Sequence, residues 1–98
     1  MRIQWTRSAI GDLAEIRIAI ERDKPDAAAG VARRILDVVY LIETYPDVGK
    51  SGRASGTQEL VVAATPYIII YRRFKGRIQL LRVLHARRRW PPRQRHKR

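Results

Sequence analysis

Hydrophobic positions along the chain first follow a helical period and then change to a strand-like one. Ala9, Leu13, Ile16 and Ile20 recur at spacings of 4, 3 and 4, the stripe of an amphipathic helix. Arg17, Glu21 and Arg22 fall off that stripe and are expected in solvent. Arg2 to Trp5, just upstream, is a short candidate strand, and Thr6 or Ser8 can cap the helix through a side-chain oxygen. Asp23-Lys24-Pro25-Asp26 stops the first helix and starts a second, because proline and acidic residues suit a first helical turn. Ala28, Ala32, Ile35, Val39 and Ile42 then repeat at 4, 3, 4 and 3, and this helix ends before Pro46. Two helices joined by so few residues predict an antiparallel hairpin. Each has a single apolar stripe, so the pair needs a further layer to pack against.

The C-terminal half supplies that layer. Tyr45 to Thr57 is a loop by composition, with Pro46 and glycines at 49, 52 and 56. Glu59 to Ala64 is expected as one strand, broken by Thr65-Pro66, and Tyr67 to Phe74 as a second. Lys75-Gly76 is a two-residue turn in which glycine supplies a positive φ, and Arg77 to His85 is the third strand of this run. The predicted fold is α+β: a helical hairpin on one face of a three- to four-stranded, mainly antiparallel sheet. Residues 1–90 form one domain, and the basic segment 91–98, introduced by Pro91-Pro92, is expected to be a mobile tail.

Composition narrows the function. There is no cysteine, which excludes disulfides and thiol chemistry and points to a reducing cytoplasm. The longest apolar stretch, Leu60 to Ile70, is interrupted by Thr65 and Pro66 and is too short to span a bilayer, and the first residues read as neither signal peptide nor anchor. A soluble protein is expected. The net charge of +12 is localised: nine Lys/Arg balance nine Asp/Glu in residues 1–59, whereas residues 60–98 carry twelve Lys/Arg and no acid. Such a block attracts a polyanion, whether nucleic acid, an acidic protein or anionic lipid.

The candidate chemistry lies in that basic third. His85, at the exit of the last strand, can act as an acid or base, or simply cap the sheet edge by bonding to backbone. Arg82 and Arg87 flank it, and Arg87, Arg88, Arg89 and Trp90 form a basic cluster with an aromatic that can stack on a ligand or cover the core. Arg72 and Arg77 frame the hairpin turn. Glu59, the one acid near the sheet, reads as a base or, more simply, as the partner of an arginine. Tyr67 and Tyr71 share one strand face and Ile68 and Ile70 the other; with the isoleucines set against the helices, the tyrosines are expected on an open face suited to a partner. The loop glycines lack the strand-to-helix context of a phosphate cradle, His96 has no second ligand at metal-binding spacing, and no cofactor or metal is expected.

The order of strand, helical hairpin, glycine-containing loop and meander resembles the RelE/ParE superfamily of type II toxins. The segments carrying the likeness are ThrArgSerAlaIleGlyAspLeuAlaGluIle, TyrProAspValGlyLysSerGlyArg, GlnGluLeuValVal, ThrProTyrIleIleIleTyrArg and ArgIleGlnLeuLeuArgValLeuHisAlaArgArg. The resemblance implies a bound antitoxin whose C-terminal segment wraps the toxin, with acids to match the basic surface. Tyr67, Tyr71, Leu13 and Ile16 are the candidates for that contact. It also implies one of two activities: RelE-like cleavage of mRNA on the ribosome, or ParE-like inhibition of DNA gyrase. The nuclease pattern is poorly kept. Tyr67 is followed by Ile68 instead of arginine, Glu59 and Val61 stand for lysines, Ala86 follows His85, and Trp90-Pro91-Pro92 replaces a late tyrosine. The ParE-like branch is therefore expected, with Arg72, Arg77, His85, Arg87, Arg88, Arg89 and Trp90 as target-binding residues and no catalytic group assigned. In the nuclease alternative, His85, Arg82 and Arg87 would be catalytic.

Overall fold

The computed structural model describes residues 1–91 of the chain. Strand β1 (Arg2–Trp5) leads into helix α1 (Arg7–Asp23), and Lys24 alone separates it from helix α2 (Pro25–Thr44). Four strands follow: β2 (Lys50–Ser51), β3 (Gln58–Val61), β4 (Tyr67–Phe74) and β5 (Arg77–His85). They form one mixed sheet in the order β1-β5-β4-β3-β2, with β1 parallel to β5 and all other pairs antiparallel. The sheet thus has five strands where three or four were expected. The additional one, β2, has only two residues, too few to leave a periodic signal in a glycine-containing loop. β3 also ends at Val61, three residues before the expected limit, because Val62 to Pro66 turn the chain and Ala64 takes a positive φ of 63°.

Local chemistry accounts for the element ends. Thr6 caps α1: its Oγ1 accepts the Ala9 N–H at 3.1 Å and lies 2.7 Å from the Leu80 carbonyl, so the cap also ties the helix start to β5. Pro25 occupies the first turn of α2 with Asp26 beside it. At the β4–β5 turn both Lys75 (φ 51°) and Gly76 (φ 75°) are left-handed, as a tight twisted hairpin requires.

Between helices and sheet lies the principal core, built on Ala9, Ile35, Val39, Ile42, Ile69, Tyr71, Ile78, Leu80 and Val83. Each large aliphatic side chain buried here contributes about 1.5–3 kcal/mol. Ala28, Ile35, Val39 and Ile42 of the α2 stripe are buried, while Ala32 and, on α1, Leu13, Ile16 and Ile20 remain partly exposed. A smaller cluster of Ile68, Ile70 and Leu84 occupies the opposite sheet face, under Leu81 and Trp90.

That division reverses the expected facing of β4. Ile69 and Tyr71 point to the helices, Tyr67 packs against the same core, and Ile68 and Ile70 face away. Tyr71 is fully buried, so it is not an open-face partner residue. Alternation alone could not fix which face was inner, since both sets are apolar. Tyr71 is accommodated because its hydroxyl donates to the Pro46 carbonyl and accepts the Gly49 N–H, each at 2.8 Å. A Cβ at Gly49 would sit 2.6 Å from that hydroxyl, which explains the glycine.

A register shift changes β5 as well. Ile70 pairs with Arg82 but Tyr71 pairs with Leu80, leaving Leu81 as an extra residue. Ile78 and Leu80 face the helices before this bulge and Val83 after it. The bulge therefore re-aims the last residues of β5, His85 included.

Candidate functional site

The exit of β5 is built by three groups that hold one another. β1 turns away after pairing with Leu80, so the edge of β5 beyond that point lacks a strand partner. Asp12 of α1 fills the gap. Its carboxylate accepts the Val83 N–H at 2.9 Å and two bonds of 2.7 Å from Arg82, and it is only 5% exposed. This two-pronged pairing raises the Arg82 pKa above its ordinary value against the opposing effect of burial. Arg82 is thus a structural cation. Asp12 lies one residue from Leu13 of the α1 stripe, and its role carries no periodic signal.

His85 is exposed, its ring edge-on to Tyr67 with centroids 6.0 Å apart. Its Nδ1 accepts the Arg87 N–H at 3.1 Å and its carbonyl accepts the Arg88 N–H at 2.8 Å. The histidine therefore organises the turn Ala86–Arg88 through backbone bonds. Ile16, Ala19, Tyr67, His85 and Arg88 line a cleft of about 190 Å³, below the ~300 Å³ at which small-molecule pockets begin.

Arg53, from the loop before β3, supports the same turn from the other side. Its guanidinium donates to the carbonyls of Arg88 (2.7 Å) and Ala86 (3.2 Å) and pairs with Glu59, which is 7% exposed, at 3.3 Å. Glu59 also accepts the Arg53 backbone N–H at 2.7 Å. Glu59 is thereby the ion-pair partner of an arginine. Nothing in the sequence marks Arg53 for this role, because it lies in a loop far along the chain from the carbonyls it holds.

The result is a turn presenting Arg87, Arg88 and Arg89 to solvent, with Trp90 half-buried over Ile68, Ile70 and Leu84. Trp90 is in part a lid on the second cluster. Arg72 and Arg77 do not join this group. Tyr67 pairs with His85 at one end of the hairpin and Phe74 with Arg77 at the other, roughly 24 Å along the strand. The proposed partner residues also separate: Ile16 and Tyr67 meet in the cleft beside His85, whereas Leu13 lines an apolar groove along the outer face of the helices with Ile10, Ala14, Ile18 and Leu36. Ile18 and Leu36 are 56% and 48% exposed there. Among the described residues no group of three His, Asp or Glu is placed to hold a metal ion, and no helix is long and apolar enough to cross a membrane. The basic segment 92–98, with His96, lies outside the described residues.

Comparison with known proteins agrees with this architecture. A solved structure titled as a chromosomal ParDE TA system from P. aeruginosa superposes with a TM-score of 0.79 at 24% identity, over 85% of this chain and 92% of that one. Protein Y4kP of Sinorhizobium fredii, whose name proposes it as a toxin, is 47% identical over 90 residues, covering 92% of this chain and 93% of its own. Toxin RelE2 of Caulobacter vibrioides is 34% identical over 87 residues, covering 89% and 97%. The family model described as the ParE toxin of the type II toxin-antitoxin system, parDE, matches residues 3–90. The chain therefore belongs to the ParE toxin family of the RelE/ParE superfamily.

Proposed function

We propose that this protein is the toxin of a type II pair, acting in the cytoplasm by binding and inhibiting DNA gyrase, and held inactive by a cognate antitoxin. The observation that carries the gyrase reading is that Arg82 and Glu59, two groups a nuclease could use, are committed to structural ion pairs. Arg82 is committed to Asp12, Glu59 to Arg53, and the Nδ1 of His85 to the turn. What remains is an exposed arginine turn with a supporting frame, a binding surface more than an acid–base constellation. Arg87, Arg88 and Arg89 would make the target contact, with His85 and Trp90 setting the shape of the turn.

The antitoxin is assigned to the helical face. The groove between the helices exposes Ile10, Ile18 and Leu36 beside Leu13, with Arg17 and Glu21 at its rim. An amphipathic antitoxin segment would bury that apolar strip, and its acids would answer the basic C-terminal third. Tyr67 and Ile16, in the cleft beside His85, offer a second contact along the same path; Tyr71 does not. Operator binding would pass through the antitoxin.

The deciding experiment is a supercoiling assay on relaxed plasmid, with wild-type toxin and with Arg87→Ala/Arg88→Ala. Loss of supercoiling or trapped cleaved plasmid, relieved at least about tenfold in toxin concentration by the double substitution, is expected if two charged contacts are lost. One relative is named RelE2, so mRNA cleavage is the second reading. Unimpaired supercoiling by a toxin that still arrests growth, with cuts mapping to codon positions in mRNA, would replace the first reading by the second. A toxin that binds nucleic acid without arresting growth would be a plain binding module.

A further inference from the structure

We infer that the hairpin end of the open sheet face, remote from the arginine turn, is a binding site for the phosphodiester backbone of a nucleic acid. The register sets the site. Arg2 pairs with Arg77 and Gln4 with Gln79 across β1 and β5, while Arg72 pairs with Gln79 and Phe74 with Arg77 across β4 and β5. Paired residues share a sheet face. The alternate set, Ile3, Ile78 and Tyr71, packs into the principal core, so these six residues lie on the face away from the helices. Lys75 of the turn adds its ammonium 5.2 Å from the centre of the Phe74 ring.

The central cation is held in place. Arg72 Nε donates to Gln79 Oε1 at 2.7 Å, and its guanidinium carbon lies 4.6 Å from the Phe74 ring centre. Gln79 in turn donates to Gln4 Oε1 at 3.3 Å. An arginine fixed by a ring and an amide loses little freedom on binding, and its terminal N–H groups, without partners among the described residues, form the fork that suits phosphate. Arg2 and Arg77 are exposed beside it. Among the described residues none of Arg2, Arg72, Lys75 and Arg77 is ion-paired, because the acids near the sheet are committed elsewhere: Asp12 to Arg82, Asp47 to Arg73 and Glu59 to Arg53. Concentrating like charges without counter-ions opposes folding unless a polyanion neutralises them.

The choice between nucleic acid and an acidic protein follows from the apolar surface. Protein interfaces centre on apolar and aromatic side chains and exclude charge from that centre. Here the one large apolar side chain among the described residues is Phe74, 39% exposed and flanked by two cations. Neighbouring strands lie about 4.8 Å apart and alternate residues roughly 7 Å, so cations and amides form a flat grid on which a backbone can lie, its phosphates meeting successive side chains. This site concerns the end of the hairpin opposite the proposed gyrase surface and stands without that reading.

The test is fluorescence anisotropy of purified toxin with a short labelled single strand and with the corresponding duplex, over a salt series. Arg2→Gln/Arg77→Gln removes two exposed charges from the site. Arg33→Gln/Arg34→Gln removes the same charge from α2. Thermal melts of each variant confirm that the fold is retained. The site variant is expected to bind about tenfold more weakly and to lower the slope of log K against log salt by roughly 1.4 for the single strand or 1.8 for the duplex. The α2 variant should bind like wild type. Arg72→Lys, which keeps the charge and loses the fork, should also weaken binding. Tighter binding to the single strand or to the duplex supports the shared backbone chemistry and names its source. Equal weakening by the two double variants would reduce the binding to general polycation attraction and overturn the site. Polyglutamate competing as well as the oligonucleotide, charge for charge, would overturn it in favour of an acidic protein.

Discussion

Asp12 has two structural roles. It joins α1 to the unpaired edge of β5 by accepting a backbone N–H, and it neutralises Arg82, which is itself mostly buried. Asp12→Ala would leave that cation and the Val83 N–H without a partner. A loss of about 3–5 kcal/mol in chemical denaturation is expected, because breaking one side of a buried pair strands the other charge. Tyr71 is a second such residue, and it makes stability depend on pH. Burial raises its pKa above the ordinary value of 10.0, so the folded state keeps the hydroxyl protonated where the unfolded chain ionises. The stabilisation is complete below pH 10.0 and is lost as pH rises towards the folded value. Tyr71→Phe should cost about 1–2 kcal/mol at neutral pH, from the two lost hydrogen bonds, and should flatten the alkaline limb of a stability–pH curve. An unchanged alkaline limb in the variant would show that another group causes it.

Among elements, the loop before β3 and the turn after β5 act as one unit through Arg53. Its guanidinium holds the carbonyls of Ala86 and Arg88 while pairing with buried Glu59, so the arginine turn is set by contacts from residues more than 30 positions earlier. Arg53→Ala is expected to cost about 2 kcal/mol, since hydrogen bonds to a charged group are lost and Glu59 is left buried alone. If the arginine turn contacts the target as proposed, the substitution should also weaken inhibition while leaving Arg87, Arg88 and Arg89 in place. Its separate signature is hydrogen exchange: amides of residues 86–89 should exchange faster while those of α2 are unaffected. Equal protection in that turn would mean that His85 and Trp90 hold it without Arg53. The β5 bulge belongs to the same scale, because one extra residue moves Leu81 to the outer cluster and sets the direction in which the strand delivers His85.

Among the described residues, the apolar groove of the helices and the basic ends of the sheet occupy different surfaces. The helices expose Ile10, Ile18 and Leu36 in a groove, while the sheet carries cations at the two ends of the β4–β5 hairpin. A partner spanning both would associate at a rate governed by charge and dissociate at a rate governed by the groove. Leu36→Asp is therefore expected to speed dissociation of the antitoxin by about tenfold or more, with the association rate changed much less, in surface plasmon resonance at fixed salt. Raising salt should chiefly slow association of wild type. Dissociation unaffected by Leu36→Asp would move the antitoxin off the helical face.

The α+β class, the two helices with their inner stripes, the turn at Lys75-Gly76 and the clustering of charge after residue 59 were all legible in the sequence. Each depends on spacing or composition within a short window, where period and turn chemistry act locally. The resemblance to RelE/ParE toxins was legible for the same reason, in the order of those windows. What lay beyond them was decided by long-range contacts. Which face of β4 is inner depended on polar partners for the buried Tyr71 hydroxyl, supplied by Pro46 and Gly49. The commitment of Arg82 to Asp12, 70 residues away, and of Glu59 and the arginine turn to Arg53 arose only when the chain closed. The sequence placed seven basic or aromatic candidates in one third of the chain; folding divided them between two ends of a hairpin, because a strand is a rigid spacer and proximity in sequence does not survive it.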